Sequence, residues 1–424
     1  MSGADSRGTV MVVGGGITGI TAAVEASEAG CDVILVERNP YLGGRVAQMH
    51  QYFPKLCPPV CGLEINLRRI RTSPRIRCLT LSEVADVQTR DGCQRVTVEQ
   101  RPRFVNERCT ACGACVAVCP ESRPDTFNYG MGSTRAIYLT SELAWPLRYT
   151  IDPAVCPGEQ CGKCIASCPY DAIDLRMTPQ RIEFEVQALI WATGWDPFDA
   201  SVVEGLCTVP NMISNVQMER LAAPSGPTKG RIVRPSDGKE IESVAFIQCA
   251  GSRDDNHLKH CSSVCCMASL KQARYVRAQY PNAHIYVYYI DLRAPGRHEL
   301  FLAESQKDDK LHLIKGKVAR VTEEGSSGAL VVEAEDVLAE RLIRQKVDLV
   351  VLATGMVPAL GKDAVSPAGR LSRDPNGFLS GAQPLPGHFA AGCARRPMDV
   401  AACVRDASSA ALKALQSCVS SQRG

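Results

Sequence analysis

Twelve of the twenty-one cysteines fall into three short groups whose spacing suits metal–sulfur chemistry. The first reads Cys109-x2-Cys112-x2-Cys115-x3-Cys119-Pro120. Spacers this short let one tight loop aim three thiolates at one four-iron cluster, and the fourth thiolate of such a run goes to a neighbouring cluster. The second reads Cys156-x4-Cys161-x2-Cys164-x3-Cys168-Pro169, with its first spacer longer by two. Exchange of the fourth thiolates assigns Cys109, Cys112, Cys115 and Cys168 to one [4Fe-4S] cluster, and Cys156, Cys161, Cys164 and Cys119 to another. Structural zinc prefers two separated cysteine pairs, which neither run provides. The third group is Cys249, Cys261, Cys265 and Cys266. Spacing alone leaves it open between a cluster, a redox dithiol and buried structural thiols.

A second constellation is the glycine loop Gly14-Gly15-Gly16-Ile17-Thr18-Gly19, which fits G-x-G-x-x-G. It lies between an apolar run and a helical pattern. Glycines there let the backbone approach a pyrophosphate, and the helix N-terminus supplies N–H donors. Glu37, followed by Arg38, ends the next apolar run, where a carboxylate can bind ribose hydroxyls.

These residues need elements to position them. Val10–Val13, Gly14–Gly19, Ile20–Ala29 and Val33–Val36 read as strand, turn, helix and strand. Leu81–Gln100 alternates as a hairpin turning at Asp91-Gly92. From Cys109 to Pro169 periodicity is lost and an inserted module is expected. Ala188–Gly194 reads as a strand ending in Ala-Thr-Gly. A second unit repeats the grammar: strand Ser243–Gln248, helix Met267–Gln279, strand His284–Ile290, and Val347–Gly355 with a second Ala-Thr-Gly. Phe389–Gly392 and a helix from Val400 to about Leu415 close the chain. The expected fold class is α/β, with two Rossmann-like dinucleotide-binding-type domains as in disulfide-reductase-like flavoproteins and an inserted bacterial-ferredoxin-like module. The expected domains are 1–100 (first part of an FAD domain), 101–180 (ferredoxin-like insertion), 181–239 (return and linker), 240–355 (second Rossmann-like domain) and 356–424 (return to the FAD domain).

Bulk composition excludes several classes. Net charge is +3, which argues neither for nor against nucleic acid, whereas aromatics at 5% argue against a base-stacking surface. No run is long and apolar enough to span a bilayer, and the N-terminus lacks a signal-peptide apolar region. The expected location is cytoplasmic, where cysteines serve metal or redox chemistry rather than disulfides.

Three further phrases make the sequence familiar. Leu42-Gly43-Gly44-Arg45 after Glu37 resembles the extended fingerprint of two-dinucleotide-domain flavoproteins. That resemblance implies FAD, with Gly44 and Arg45 at the pyrophosphate and the Val84 backbone at the adenine. Ala391-Gly392-Cys393 with Met398-Asp399-Val400 resembles the segment that closes on the flavin, through Gly392, Asp399 and Val400. Cys393 stands where an acid usually binds ribitol. Gln248-Cys-Ala-Gly-Ser-Arg253 and His260-Cys-Ser-Ser-Val-Cys-Cys-Met267 resemble the heterodisulfide reductase A family. In that family the four cysteines hold a [4Fe-4S] cluster, which makes three clusters here. Within it, Tyr52–Asn66, Asn128–Met131, Tyr138-Leu139 and Ile190–Trp195 resemble the branch formed by the A subunits of quinone-interacting membrane-bound oxidoreductases.

The branch resemblance implies an FAD and iron–sulfur electron-transfer subunit, peripheral on the inner membrane face through its partners. Those partners would be a second flavin/iron–sulfur subunit plus a membrane haem subunit. Adenylylsulfate reductase would be the redox partner, in dissimilatory sulfur metabolism. The alternatives are a heterodisulfide reductase A-type subunit of a soluble thiol/disulfide complex, and an NAD(P)H-dependent reductase. Cys249-Ala-Gly-Ser-Arg253 in place of a second glycine loop argues against nicotinamide. No catalytic residue is assigned; Cys57 and Cys61 are a candidate redox pair. Cys31, Cys78, Cys93, Cys207, Cys403 and Cys418 read as packing residues, and His257 and His260 as non-ligands.

Overall fold

The computed structural model describes residues 6–90, 92–206, 209–325, 328–360, 371–380 and 385–421. The chain divides into two compact units, Met1–Trp195 with Pro358–Arg396 and Val400–Gly424, and Asp196–Val357 with Pro397–Asp399.

In the first unit, strand Thr9–Val13 lies at the centre of a five-stranded parallel sheet. The spatial order is His388–Ala390, Ala188–Trp191, Thr9–Val13, Asp32–Glu37 and Ile76–Thr80. Alternate residues of a strand face opposite sides. Val10 and Val12 therefore pack into a helical layer, and Met11 and Val13 into the other face. The helical layer is built from small residues. Helix Ile17–Glu28 and helix Val400–Ser421 meet through Ala22, Ala23 and Ala26 on one side and Ala407, Ala410, Ala411 and Ala414 on the other, which permits close approach. The far face is covered by an antiparallel meander of Ser82–Arg90, Cys93–Gln100 and Gln180–Val186, through Val96, Val98 and Val186.

The cysteine-rich module is inserted in this meander. Gln100 pairs with Gln180, so the chain leaves and re-enters at one rung. Two five-residue helices, Ala114–Val118 and Lys163–Ser167, repeat one design. Each starts after a left-handed glycine (Gly113, φ 84°; Gly162, φ 57°) and ends on a cysteine, Cys119 or Cys168. Val105, Cys115, Ile137, Ile151, Ala172 and Ile173 form the module's small core.

The second unit has its own five-stranded parallel sheet, in the order Met212–Ser214, Leu349–Thr354, Ser243–Ala250, His284–Tyr289 and Leu311–Lys315. Val318–Glu324, Ala329–Asp336 and Arg341–Val347 form its antiparallel meander. The stretch 200–239, expected to be a linker, instead supplies an edge strand and helix Asn215–Ala222. A capping box of Ser214 and Gln217 starts that helix. Its Glu219 accepts from the ammonium of Lys271 at 3.0 Å and from the amide of Gln272 at 2.8 Å, a buried polar knot tying it to helix Cys265–Gln279. Among the described residues no helix is long and apolar enough to cross a membrane.

Candidate functional site: a dinucleotide loop and three four-thiol cavities

Gly16 caps helix Ile17–Glu28 with extended backbone and no side-chain cap, an arrangement in which first-turn N–H groups can serve an anionic ligand. The neighbouring glycines make the loop tight. Gly14 has φ +109°, and a Cβ there would strike the Ala192 carbonyl oxygen. A Cβ at Gly16 would have the Gly44 Cα as its nearest heavy atom, at 4.0 Å, which is the open side of the cradle. Gly43 N donates to Gly15 O at 2.8 Å, so the Leu42–Arg45 phrase folds directly onto the glycine loop.

Glu37 is buried, and its carboxylate accepts from the backbone N–H of Gly15 at 2.5 Å and of Asn39 at 2.7 Å. Burial pushes its carboxyl above the usual range, against the pull of the Asn39 and Gly15 donors. Arg38 is exposed beside it, its carbonyl accepting from Arg101. Arg45 donates from Nη1 to the Tyr129 hydroxyl at 3.0 Å and from Nε to Trp195 O at 3.2 Å. Its guanidinium lies 5.5 Å from the ring centroids of both Tyr129 and Trp195. The Tyr129 hydroxyl donates onward to Gln48 Oε1 at 2.8 Å. The inserted module, which carries Tyr129, thus fixes an arginine of the nucleotide loop. Composition and spacing gave no sign of this contact.

Val84 lies in the meander beside a register shift in its pairing with Cys93–Gln100. Gly392 has φ +63°, and a Cβ there would strike the Thr18 side chain in the glycine loop. Its N–H donates to Asp406 Oδ2 at 2.7 Å, and Asp406 also pairs with Arg395 at 2.6 Å. Asp399, exposed, immediately precedes Val400, the first residue of the C-terminal helix.

All twelve grouped cysteines line three cavities, four in each. Cys109, Cys112, Cys115 and Cys168 line one. Cys119, Cys156, Cys161 and Cys164 line another. Ile137, 2% exposed, lines both. The two fourth cysteines are therefore exchanged between the runs. The same neighbours set the electrostatics of these thiols. Burial first, then Cys109 and Cys112, push the Cys115 thiol up to about 11. Burial, then Cys156 and more weakly Cys119, raise Cys164.

The third cavity is lined by Cys249, Cys261, Cys265 and Cys266 with Ser252, Arg253, Ser262, Ser263, Asp291 and Arg293. Cys249 sits at a register break at the end of strand Ser243–Ala250, with φ 57°. Cys265 and Cys266 open helix Cys265–Gln279. The group therefore occupies the strand-end, helix-start position where open α/β sheets bind ligands. Burial, then Cys266, Cys249 and Cys261, raise the Cys265 thiol. Among the described residues no three His, Cys, Asp or Glu side chains are arranged for a single metal ion. Four thiols spread over the walls of a cavity suit a polyatomic cluster instead, whose cationic iron offsets their mutual repulsion.

Cys57 and Cys61 line none of these cavities. Cys57 packs against Tyr52, whose N–H donates to its carbonyl at 3.2 Å, and Cys61 is exposed in the first turn of helix Val60–Thr72. Tyr52's phenol is raised by burial and by Cys57 and Cys61. His260 contacts Met356 O at 2.9 Å, and His257 lies 3.5 Å from Asp254; neither lines the third cavity. Cys207 lies outside the described residues.

Comparison with known proteins fits this geometry. Residues 9–54 match the FAD dependent oxidoreductase family, and residues 102–122 match the 4Fe-4S binding domain. The second of the iron–sulfur A subunits of CoB–CoM heterodisulfide reductase from Methanopyrus kandleri is 38% identical over 423 residues, covering 97% of this chain and 64% of that protein. The A subunit of the ferredoxin:CoB-CoM heterodisulfide reductase of Methanosarcina mazei is 39% identical over 421 residues, covering 96% of this chain and 53% of that protein. The chain thus spans between about half and two thirds of the length of these relatives. The thioredoxin reductase of T. acidophilum shares the fold, with a TM-score of 0.52 at 12% identity over 98% of this chain and 99% of that one. Over nearly its whole length the chain is thus similar to the methanogen heterodisulfide reductase A subunits, and within it lie a stretch matching an FAD dependent oxidoreductase family and a stretch matching a 4Fe-4S binding domain.

Proposed function

We propose that the chain holds one FAD and three [4Fe-4S] clusters and passes electrons within a membrane-associated complex. The carrying observation is the grouping of twelve cysteines into three four-thiol cavities. Gly14–Gly19 and Glu37 bind the dinucleotide, and Arg45, braced by Tyr129, offsets diphosphate charge. The Gly392 turn, Asp399 and Val400 close the flavin end, and the Val84 backbone meets the adenine. Bound flavin supplies the change from two-electron to one-electron transfer. The thiol quartets hold the clusters as one-electron carriers, and Ile137 lines the cavities of two of them. Arg253, Arg293 and a helix N-terminus offset negative charge at the third.

In this reading the quinone pool is reached through a second flavin/iron–sulfur subunit plus a membrane haem subunit. Adenylylsulfate reductase is the other redox partner, in dissimilatory sulfur metabolism. The branch-specific phrases support it, and two of them, Asn128–Met131 and Ile190–Trp195, supply the residues that grip Arg45. A second reading, a heterodisulfide reductase A-type subunit of a soluble thiol/disulfide complex, is favoured by the relatives' names.

Anaerobic purification from native membranes tests both. The expected preparation contains about one FAD and about twelve iron per chain, from three four-iron clusters, with a haem subunit co-purifying. Its reduced form donates to or accepts from adenylylsulfate reductase. Iron near eight that Cys265→Ser leaves unchanged would remove the third cluster. Co-purification with a soluble heterodisulfide-reducing subunit, without haem, would favour the second reading.

A further inference from the structure

The Sγ atoms of Cys393 and Cys403 stand 3.6 Å apart, both as thiols and both buried, at 6% and 4% exposure. Cys393 lies in the short turn Gly392–Ala394, and Cys403 in the first turn of helix Val400–Ser421. We propose that this pair is a redox-active dithiol/disulfide couple that exchanges two electrons with the flavin. The proposal rests on the flavin reading above.

Three features carry it. The first is reach: a disulfide needs about 2.0 Å between sulfurs, so an approach of about 1.5 Å closes the bond. The second is place. Cys393 follows Gly392, which abuts Thr18 of the glycine loop, and the Gly392 N–H is anchored to Asp406 of the same helix that carries Cys403. Gly392 thus ties the turn that carries Cys393 both to the glycine loop and to the helix that carries Cys403. The ring a disulfide would close runs from Cys393 to Cys403 and contains Met398, Asp399 and Val400, the segment proposed to close on the flavin. Oxidation would restrict that segment's freedom, and reduction would restore it. The third is shielding. Buried thiols are poor targets for oxidants arriving from solvent, so an oxidant for this pair must come from within the protein.

The step balances. Two S–H bonds break and one S–S bond forms. The two electrons and two protons released reduce oxidised flavin to its two-electron form, and the reverse reaction returns them.

The test uses the FAD-loaded, cluster-containing protein, poised anaerobically with mediator dyes, quenched in acid, alkylated and digested with trypsin. Cleavage after Arg395 places Cys393 and Cys403 on separate peptides that stay joined only through a disulfide. The linked peptide is expected at oxidising poise and not at reducing poise. Its ratio to the unlinked form should change about tenfold per 30 mV, the slope of a two-electron couple. Cys403→Ser should abolish it, and FAD-stripped protein should stay dithiol over the same interval. A retained FAD with no linked peptide at any poise overturns the couple. Equal conversion in stripped protein overturns the flavin as its partner. Absence of FAD, read separately from the visible spectrum, removes the flavin reading and this route with it.

Discussion

Cys119 and Cys168 occupy equivalent ends of two five-residue helices, and each lines the cavity of the other's run. A substitution at one therefore acts at a distance in sequence. Cys168→Ser should perturb the cluster held by Cys109, Cys112 and Cys115, while the cluster of Cys156, Cys161 and Cys164 keeps all four thiols. EPR of the reduced variant, compared with Cys112→Ser, checks this: the two variants should lose or shift the same signal. If Cys168→Ser instead matches Cys161→Ser, the exchange is wrong.

Tyr129 is expected to matter for flavin retention although it belongs to the inserted module. Its hydroxyl accepts from Arg45 and donates to Gln48. Tyr129→Phe keeps the ring over the guanidinium and deletes both hydrogen bonds. At about 1 kcal/mol for one net hydrogen bond, FAD affinity should fall roughly fivefold, with the iron content unchanged. Equilibrium titration of apoprotein with FAD reads the effect. Unaltered affinity would mean that Arg45 does not depend on this brace.

His388 should give the first unit an acid-sensitive stability. Its Nδ1 accepts from the Trp191 indole N–H at 3.2 Å, and its Nε2–H donates to Gln94 Oε1 at 3.2 Å, which fixes a neutral ring. Burial lowers its pKa to about 4. The unfolded chain takes up the proton near pH 6.5, whereas the native state stays neutral until about 4. Stability is therefore full above pH 6.5 and is lost as the pH falls toward 4, by about 2 kcal/mol at pH 5. Urea unfolding at pH 7 and pH 5 should show that loss in the parent and a flatter response in His388→Gln. Equal pH dependence in the two would contradict the neutral-ring assignment.

What could be read from sequence was local. The glycine loop, the two cysteine runs and the strand-ending Ala-Thr-Gly phrases carry their meaning in spacing, and the corresponding elements lie close to where periodicity put them. The opening helix starts at Ile17 rather than Ile20 because Gly16 serves as its cap. The strand Met212–Ser214 was hidden because three residues in a Pro/Gly/Ser-rich stretch show no period, although Ser214 and Gln217 of its capping box were visible. Long-range contacts left no trace in spacing. Arg45 finds Tyr129 and Trp195 at separations of 84 and 150 residues. Cys403 read as a packing residue because only docking of the C-terminal helix on the Gly392 turn brings it to Cys393.

Nicotinamide should not reduce this protein directly. A parallel α/β unit that binds NADH or NADPH offers glycine-flanked backbone N–H groups at the end of its first strand, where the pyrophosphate docks on a helix N-terminus. Here the strand Ser243–Ala250 ends in Cys249, and helix Cys265–Gln279 opens on two cysteines that face the same cavity. The side chains there provide no glycine cradle for a phosphate, and a cluster held by them would fill the cavity. The protein should therefore show no rapid flavin bleaching with NADH or NADPH under anaerobic conditions, even with either nicotinamide in large excess. Cys261→Ser removes one thiol but supplies no glycine cradle, so it should not create nicotinamide oxidation either. Stopped-flow absorbance of the flavin band decides the matter. Fast bleaching in the parent protein would place a nicotinamide site elsewhere on the chain and would make the NAD(P)H-dependent reductase the better reading.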